Sequence, residues 1–326
     1  MKKLDYSVVV VTFNPDFSSM IKTLYSIVNQ RDVSFEIVVA DDGSKIDYFD
    51  EIKEYFNTIH FDQYKLVKNQ KNMGTVKNLI SAIERCEGDI IKTISPGDLL
   101  IDEEILYSWK KELDKSSCKW SFGDCIYYTS DNKTGEAKII SGKASPQLVR
   151  SYFNNDDKKS RWNYLINRDL CIGAALICKK DIIYKYLTLI KEKIIYGEDN
   201  IYRIMMLLGD VGHYYKNNVV YYEIGSGIST SSNDYWQDKI KQDWNSANDI
   251  MISVYDHNDL FQEKLISTLK VEQIENKYIR KVKSFFIPGR LKIILKRKFF
   301  ARVTLNTAID HNEIFKVLNG DITLCK

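Results

Sequence analysis

Three short polar segments bring carboxylates to places where a ligand could be held. They are Asp41-Asp42-Gly43-Ser44, Ser95-Pro96-Gly97-Asp98 and Gly197-Glu198-Asp199-Asn200. A carboxylate can accept an N–H group of a ligand, bind a divalent cation, or take a proton from a hydroxyl. The four histidines are isolated and the six cysteines form no CxxC pair, so no zinc-binding pattern is present. The residue types therefore favour carboxylate chemistry over a zinc site.

The segment Ser95-Pro96-Gly97-Asp98 follows an apolar run, 89–94, that has the character of a strand. Proline at the second position of a turn and glycine at the third favour a type II turn, which requires a positive φ at Gly97. Such a turn would hold Asp98 at a fixed angle beside the strand end. Two interpretations follow: Asp98 binds a metal-bound diphosphate, or the segment is a plain connection from strand to helix.

Alternating strands and helices must position these segments. Continuous apolar runs predict strands covered on both faces at 6–11, 35–40, 64–68 and 89–94. The helices between them have apolar stripes at Phe17, Ile21, Leu24 and Val28, at Ile46, Phe49, Ile52 and Phe56, and at Val76, Leu79, Ile80 and Ile83. Repeated β-α units with short connections predict a parallel sheet, so the polar loops after its strands share one edge.

The rest of the chain is mixed and then helical. Helices are expected at 101–113, from Asp181, and from about Asn200 to Leu208, and strands at 119–129, 172–178, 213–215 and 219–223, with a polar loop at 130–145. From about Asp234 onward the pattern is helical with few breakers. The chain is therefore predicted to be α/β with a helical C-terminal extension.

Length and composition describe an ordinary globular protein. The chain has 326 residues, of which 44% are hydrophobic and 28% charged. Its formal net charge of +3 is too small to indicate a nucleic-acid partner. No run approaches the ~18 apolar residues of a membrane-spanning helix, and the start is too polar for a signal peptide. We expect reduced cysteines and a cytoplasmic location.

The order and spacing of four motifs resemble the family 2 glycosyltransferases of bacterial polysaccharide assembly. The motifs are VVVVTFNP, VVADDGS, KNMGTVKNLISAIERCEGDII and SPGD, and the resemblance is close over residues 5–105 and looser to about 230. It implies a GT-A fold, which is a Rossmann-like, mostly parallel sheet flanked by helices. It also implies a catalytic domain at 1–232, with a nucleotide-binding half at 1–115 and an acceptor half at 116–232, followed by a helical region at 233–326.

The resemblance places a nucleotide sugar, with UDP as the expected nucleotide, at the shared edge. The nucleoside contacts that it implies are Thr12, Phe13, Asn14, Asp41 and Asp42. A carboxylate is a good acceptor for the N–H of a uracil edge. The resemblance also implies that Lys77 lies near the diphosphate, where the family often has an arginine. A lysine supplies a point charge there and cannot make the two parallel hydrogen bonds of a guanidinium group. Two alternatives stay open: residues 41–44 merely cap the next helix, and Lys77 is a solvated surface lysine.

The family's metal loop resembles Asp-x-Asp-Asp, in which carboxylates hold Mn²⁺ or Mg²⁺ on the diphosphate. In this sequence Ser95 and Gly97 replace the first two acids, and Asp98 remains. The resemblance therefore implies a reduced Mn²⁺ or Mg²⁺ site, with Asp98 as the ligand and with Ser95 and Gly97 beside the diphosphate. Metal-independent transfer, with Asp98 in a plain turn, is the alternative.

An inverting transfer needs a base that takes the proton of the acceptor hydroxyl. The resemblance implies Asp199 in this role, with Glu198, Gly173 and Ala174 on the acceptor side. Two acids at the start of a helix are also favourable partners of the helix dipole, and this interpretation stays open. The Gly-Ser-rich stretch 225–232 is either a lid over the diphosphate or a linker.

Residues 277–302 are basic and apolar, and no acidic residue occurs between Glu275 and Asp310. Cations interleaved with Phe, Ile and Leu suit a helix on an anionic surface. They predict a peripheral contact with the inner face of the cell membrane. The alternatives are packing on the catalytic domain and contacts in a homo-oligomer.

Together these features predict an inverting glycosyltransferase. It would move a hexose or N-acetylhexosamine from a nucleotide sugar to a hydroxyl of a glycan or of a polyprenyl-diphosphate-linked acceptor. A sugar-nucleotide nucleotidyltransferase is disfavoured because Thr12-Phe13-Asn14-Pro15 is not a Gly-rich basic loop. A non-catalytic RNA-binding module on the basic tail would lack an aromatic-and-glycine RNA motif, so we expect no nucleic-acid partner.

Overall fold

Strands and helices alternate in the first part of the chain and helices alone form its C-terminal part. The structure, a computed structural model, describes residues 3–130, 137–140, 142, 144–153, 156–225, 227, 233–255, 259–287 and 290–300. The strands are β1 Tyr6–Thr12, β2 Phe35–Asp41, β3 Tyr64–Lys68, β4 Ile90–Ile94, β5 Leu99–Leu100, β6 Trp120–Ser130, β7 Ala137–Ile139, β8 Leu176–Lys179 and β9 His213–Glu223. The helices are α1 Phe17–Val28, α2 Phe49–Thr58, α3 Thr75–Ile83, α4 Ile105–Lys115, α5 Asp157–Arg161, α6 Lys180–Ile190, α7 Asn200–Leu208, α8 Asp234–Val254, α9 Leu260–Glu272, α10 Lys277–Phe285 and α11 Arg290–Phe300.

Within the described residues the strands form one sheet in the order β3-β2-β1-β4-β8-β6-β9-β5, with β7 paired to β6. β1 to β4 are parallel, because a helix follows each of the first three strands and returns the chain to the same end. β8 runs antiparallel to β4 and β6, and β9 lies parallel to β6. Thr12 lies beside Asp41, and Val10 beside Ile94. The carboxyl ends of β1, β2 and β4 therefore meet at one edge of the sheet.

Two apolar layers cover the faces of this sheet. Alternate strand residues point to opposite faces, so Val8 and Val10 belong to one layer and Val9 to the other. Helices α1, α2 and α4 complete the first layer, and α3, α6 and α7 complete the second. The C-terminal helices α8 and α9 add Ala247, Met251 and other apolar side chains to the second layer. The predicted α/β fold with a helical C-terminal extension is confirmed, whereas the domain boundary at 232 stays a prediction.

Two of the predicted helices begin later than the sequence pattern indicates. Helix α2 begins only at Phe49, so Ile46 is 60% exposed and does not join its apolar stripe. The helix expected from residue 101 begins at Ile105, because Leu99–Leu100 pair with β9 and the chain must turn after them. In both places an apolar residue in a connecting loop continues the helical periodicity by chance.

The strands of the acceptor half also differ in their limits. The two short strands expected within 213–223 are one strand, β9, whose pairing shifts register beside Asp124 and so absorbs the polar residues between them. The strand expected at 172–178 is shorter, because a 3-10 turn occupies Gly173–Ala175. Part of the loop expected at 130–145 forms β7. Across the described ranges, no helix combines the length and the apolar character needed to span a bilayer.

Candidate active site

The turn after β4 has the conformation that the sequence predicts. Gly97 has a φ of 100°, and Asp98 N donates a hydrogen bond of 3.0 Å to Ser95 O. The hydroxyl of Thr23, in α1, accepts from Gly97 N at 3.0 Å and donates to the Asp98 carbonyl at 2.9 Å. The Tyr128 hydroxyl, in β6, donates to the Gly97 carbonyl. The turn is therefore fixed by contacts from both sides.

Asp98 is buried behind this turn, with 6% of its surface exposed. Its Oδ1 accepts the backbone N–H of Glu223, in β9, at 3.0 Å. Burial raises the pKa of the Asp98 carboxyl to about 7, against the effects of the Glu223 N–H and of the positive charge of Lys92. Ser95, in contrast, is exposed at the edge. One oxygen of the Asp98 carboxylate thus already accepts a hydrogen bond from the protein. The role of Asp98 as a metal ligand stays a prediction.

Glu223 brings a second carboxylate to this turn, which no motif in the sequence indicates. A Cβ added to Gly97 would lie 2.3 Å from Glu223 Oε2, so this carboxylate fills the space of a side chain at position 97. Glu223 Oε1 accepts the Ser130 hydroxyl at 2.8 Å. A carboxylate from β9 therefore lies against position 97, where the sequence has glycine in place of the acid of the expected Asp-x-Asp-Asp pattern. The available sequence signal is weak: Glu223 is the last acid before the Gly-Ser-rich stretch 225–232.

Lys92 is a buried cation in β4, between the turn and the acceptor side. It has no exposed surface, and its Nζ donates to the carbonyls of Thr93, at 2.9 Å, and Ala174. Burial lowers the pKa of the Lys92 amine to about 8, and the negative charge of Asp98 opposes this shift. A lone lysine inside the apolar run 89–94 is the sequence signal that could have indicated it. Lys92 joins the end of β4 to the turn that precedes β8.

Asp41 organises the loop after β1. Its carboxylate accepts the backbone N–H of Ser44 at 2.9 Å and also the Ser44 hydroxyl, whose oxygen accepts Asn14 N at 2.6 Å. Thr12 is buried, and its hydroxyl has no hydrogen-bond partner among the described residues. Phe13 is 40% exposed. The predicted nucleoside contacts of β1 and β2 therefore lie together, with one buried hydroxyl and one exposed ring.

Asp42 ties the same edge to the start of α3. It accepts Met73 N at 2.9 Å and Gly74 N at 2.8 Å, and its own N–H donates to the Thr12 carbonyl at 2.9 Å. The N-cap of α2 is Tyr48, so the alternative in which the aspartate pair merely caps that helix is wrong. Both aspartates already have protein partners, and a nucleoside contact would add to these.

The sequence predicts Lys77 and the Gly-Ser-rich stretch 225–232 near the diphosphate, and the structure confirms neither position. Lys77, in α3, is partly exposed, and its Nζ lies 3.7 Å from Glu192 Oε2. This surface ion pair fits the alternative of a solvated lysine. Of the Gly-Ser-rich stretch, residues 226 and 228–232 lie outside the described residues. Its role as a lid or a linker stays a prediction.

Asp199 lies directly before α7 in a hollow of the surface. It occupies the N-cap position, but its side chain makes no capping hydrogen bond. A Cβ added to Gly173 would lie 3.6 Å from Asp199 Oδ2, so the acceptor-side turn comes close to the carboxylate without covering it. Asp199 is exposed, yet the walls of the hollow reduce its hydration and raise its pKa, against the charge of Arg203. Desolvation, followed by the charge of Asp199, also raises the pKa of Glu198.

The loop before this acidic pair is shaped by the C-terminal region. Asp243 of α8 is buried and accepts the backbone N–H groups of Ile195, Tyr196 and Gly197 at 3.0, 2.6 and 2.9 Å. Ile195 O accepts Val76 N, at the start of α3, at 3.0 Å. Asp243 is therefore a positioning residue, and the sequence does not reveal it because it is one of several acids on α8.

These contacts place the three acidic segments on one edge of the sheet. Asp42 is linked through the start of α3 to the loop before α7. The positive charge of Lys92 acts on Asp98, and Lys92 Nζ donates to the Ala174 carbonyl in the turn that faces Asp199. The structure thus brings together side chains that are far apart in the chain, with the predicted nucleoside contacts at one end of the edge and the exposed Asp199 carboxylate at the other.

Known proteins of similar sequence share part of this chain. The family model for Glycosyl transferase family 2 matches residues 7–183, more than half of the chain. Mouse inactive polypeptide N-acetylgalactosaminyltransferase-like protein 5 is 26% identical over 87 residues. That match covers 26% of this chain and spans only 20% of the mouse protein.

Solved structures of similar fold include two of residues 1–349 of S. aureus TarS. The complex with UDP-GlcNAc is 16% identical, with a TM-score of 0.58, and the match covers 89% of this chain and 79% of that chain. The complex with UDP is 15% identical, with a TM-score of 0.54, and the match covers 89% of this chain and 76% of that chain. These likenesses agree with a GT-A fold, and the match to the family model shows that the chain belongs to glycosyl transferase family 2.

Proposed function

We propose that this protein transfers a sugar from a UDP-sugar to a hydroxyl group of an acceptor, with inversion at the anomeric carbon. The observation that carries the proposal is that Asp42, Asp98 and Asp199 lie at one edge of the sheet. Asp42 and Asp98 follow the parallel strands β2 and β4, and Asp199 faces Gly173, just before β8, which runs antiparallel to β4. Membership of the family supports glycosyl transfer, and the UDP and UDP-GlcNAc complexes of TarS support a UDP-sugar donor. A hexose or N-acetylhexosamine is the expected sugar.

In the proposed reaction the two substrates approach from opposite ends of the edge. The nucleoside lies at the exposed ring of Phe13 and next to the aspartate pair, whose buried carboxylates already accept protein hydrogen bonds and would take a nucleoside N–H in addition. The acceptor enters beside Gly173. Asp199 takes the proton of its hydroxyl as that oxygen bonds to the anomeric carbon, and the bond to the diphosphate breaks on the opposite face. A raised pKa suits a base that works near neutral pH.

The donor set at the turn after β4 fits a divalent cation only if the diphosphate supplies most of the ligands. Among the described residues, no three side chains of His, Cys, Asp or Glu are grouped to hold a metal ion. Asp98 and Glu223 offer two carboxylates, and one oxygen of each already accepts a hydrogen bond. Mg²⁺ is commonly held by one or two carboxylates with phosphates and water. We therefore assign these two residues to Mn²⁺ or Mg²⁺, which when bound would neutralise charge on the departing diphosphate.

UDP binding should consequently depend on the cation. For the wild type, calorimetric titration should show binding at least about tenfold tighter with Mn²⁺ than with EDTA. Glu223→Gln should remove most of this difference, because it removes one of two anionic ligands. Ser267→Ala, which removes an exposed hydroxyl that donates to the Glu263 carbonyl on α9, should retain the difference. Equal affinity of the wild type in Mn²⁺ and in EDTA would contradict the metal assignment.

Helix α10 supports a peripheral contact with a membrane. None of its residues is buried. Its apolar residues Tyr278, Ile279, Val282 and Phe285, with the following Phe286, fall on one helical face and are exposed within the chain. These side chains of α10 therefore do not bury themselves against the catalytic domain. In α11, by contrast, Arg290 and Arg297 donate to the carbonyls of Ile166 and Asn167, so the alternative of packing on the catalytic domain stays open for that helix, as does a homo-oligomer contact. We propose that this face contacts an anionic lipid surface, where the flanking lysines and arginine add attraction.

Vesicle binding tests this contact. The full chain should cosediment with phosphatidylcholine vesicles that contain phosphatidylglycerol, and more weakly with pure phosphatidylcholine. Ile279→Asp/Phe286→Asp should weaken binding at least about tenfold, because it places charge in the apolar face. Leu260→Asp, at a 62% exposed position on α9, should bind like the wild type. Equal cosedimentation of both variants would show that α10 is not the contact.

Incubation with labelled UDP-sugars tests the proposed activity. Slow release of UDP, with water in place of the acceptor, would support glycosyl transfer. Pyrophosphate-dependent exchange would indicate a nucleotidyltransferase instead. No UDP release and no pyrophosphate exchange, together with binding of RNA, would indicate a non-catalytic RNA-binding module.

A further inference from the structure

A cleft of about 410 Å³ opens between the C-terminal helices and the segment that leads to the acceptor side. Its lining includes Arg168, Lys241, Trp244, Glu272 and Arg280. Cations thus outnumber acids among these side chains, and they come from three different parts of the chain. The donor site proposed above uses none of them.

Positive charge is in excess around this cleft. Glu272 is shared, because its Oε1 lies 2.7 Å from Arg168 Nε and its Oε2 lies 3.7 Å from Arg203 Nη2. Burial lowers the pKa of Arg168, and the charges of Arg297 and Arg280 lower it further, against the attraction of Glu272. Lys241 Nζ lies 3.6 Å from Glu275 Oε1, a pair on the exposed side of the cleft. Two carboxylates therefore face one lysine and several guanidinium groups that repel one another. A bound anion would relieve that repulsion.

Trp244 connects the cleft to the proposed base. The guanidinium groups of Arg203 and Arg168 lie 3.8 and 4.9 Å from the centre of its ring. Trp244 also lines a small cavity of about 20 Å³ together with Asp199 and Arg203, which is room for about one water molecule. A group held in the cleft therefore lies next to the cavity of the base.

We propose that this cleft, defined by Arg168, Lys241 and Arg280, binds a phosphate or diphosphate group of the acceptor. A guanidinium fork matches phosphate oxygens, and a lysine adds a mobile point charge. The inference rests on the proposed function, because it assigns the cleft to the acceptor of that reaction. The anionic group stays in the cleft while a hydroxyl of the same molecule reaches Asp199.

Two kinds of acceptor carry such a group. A lipid-linked sugar presents its diphosphate at a membrane surface, and Arg280 belongs to α10, the helix with the exposed apolar face. A phosphate-containing glycan presents the same chemistry in water. The cleft recognises the anion in both cases, so a binding experiment must separate the two sources.

Titration calorimetry with inorganic pyrophosphate tests the cleft, on the full chain and in EDTA, which weakens diphosphate binding at the proposed donor site. The wild type should bind pyrophosphate, and Lys241→Gln/Arg280→Gln should bind it at least about tenfold more weakly. Lys264→Gln/Lys270→Gln removes the same charge from α9 outside the cleft and should bind like the wild type. Lys241→Gln alone should bind pyrophosphate with an affinity between those of the wild type and the double variant. Because the Lys241 side chain is 43% exposed, this single substitution should not disturb folding, so it serves as a check if the double variant misfolds. No binding by the wild type, or equal weakening in both double variants, would overturn the proposal.

A second titration identifies the source of the anion. Tighter binding of farnesyl diphosphate than of pyrophosphate would identify a lipid-linked acceptor, and equal binding a soluble one, and both results support the cleft. Release of UDP from UDP-sugars is measured separately and reports on the donor site. If that release is absent while pyrophosphate binds as expected, the proposed function fails and the anion site remains.

Discussion

Replacing Asp199 by asparagine should abolish sugar transfer while leaving the donor site intact. Asparagine keeps the size of the side chain but cannot take the proton of the acceptor hydroxyl, so kcat should fall by about 10²–10⁴-fold. UDP binding should be unchanged, because Asp199 lies against Gly173 on the acceptor side. The measurements are the rate of UDP release from a UDP-sugar and a calorimetric titration with UDP.

The pH dependence of this rate gives a second readout. Desolvation raises the pKa of Asp199, and its carboxyl must be deprotonated to act as a base. The wild-type rate should therefore rise with pH through this pKa, and the residual rate of Asp199→Asn should lack the rise. Asp238→Asn, at an exposed position on α8, should keep both the rate and the profile. A near-normal rate in Asp199→Asn would rule out its role as the base.

Replacing Lys92 by methionine should destabilise the fold and disturb the turn that holds Asp98. Lys92 is fully buried, and its amine donates to the carbonyls of Thr93 and Ala174. Methionine fills a similar volume but leaves both carbonyls without this donor. The free energy of unfolding, measured by urea denaturation, should fall by about 2 kcal/mol or more.

A double-mutant cycle with Asp98→Asn separates charge from packing at this site. The charge of Lys92 favours ionised Asp98, so the combined cost of both substitutions should be smaller than the sum, by about 1 kcal/mol. Lys45→Met, at an exposed position after β2, should leave the free energy of unfolding within about 0.5 kcal/mol of the wild type. An unchanged or increased stability of Lys92→Met would refute the bridging role of its amine.

The edge of the sheet could be predicted because it depends on local patterns. The strands expected at 6–11, 35–40 and 89–94 are present within one residue at each end, since each is a continuous apolar run covered on both faces. The Pro-Gly pair predicts the positive φ at Gly97, which the structure has. The predicted start of α2 was wrong because Ile46, an apolar residue that fits the helical spacing, lies in the loop before the helix.

The residues that the sequence did not reveal reach the site from distant parts of the chain. Glu223 comes from β9 and Asp243 from α8, and neither belongs to a motif that the sequence reveals. Lys92 lies inside a predicted strand, but its connection to Ala174 depends on the antiparallel pairing of β4 with β8. Periodicity shows which face a residue takes and does not show which distant loop that face meets.

Hydrogen exchange tests most directly whether three loops, distant in the chain, form one nucleotide-sugar site. Addition of UDP with Mn²⁺ should slow amide exchange together in peptides that cover residues 12–14, 41–44 and 95–98. The same protection should appear in Asp199→Asn, because its donor site is intact. Protection that is absent from these peptides, or confined to one of them, would contradict a shared site.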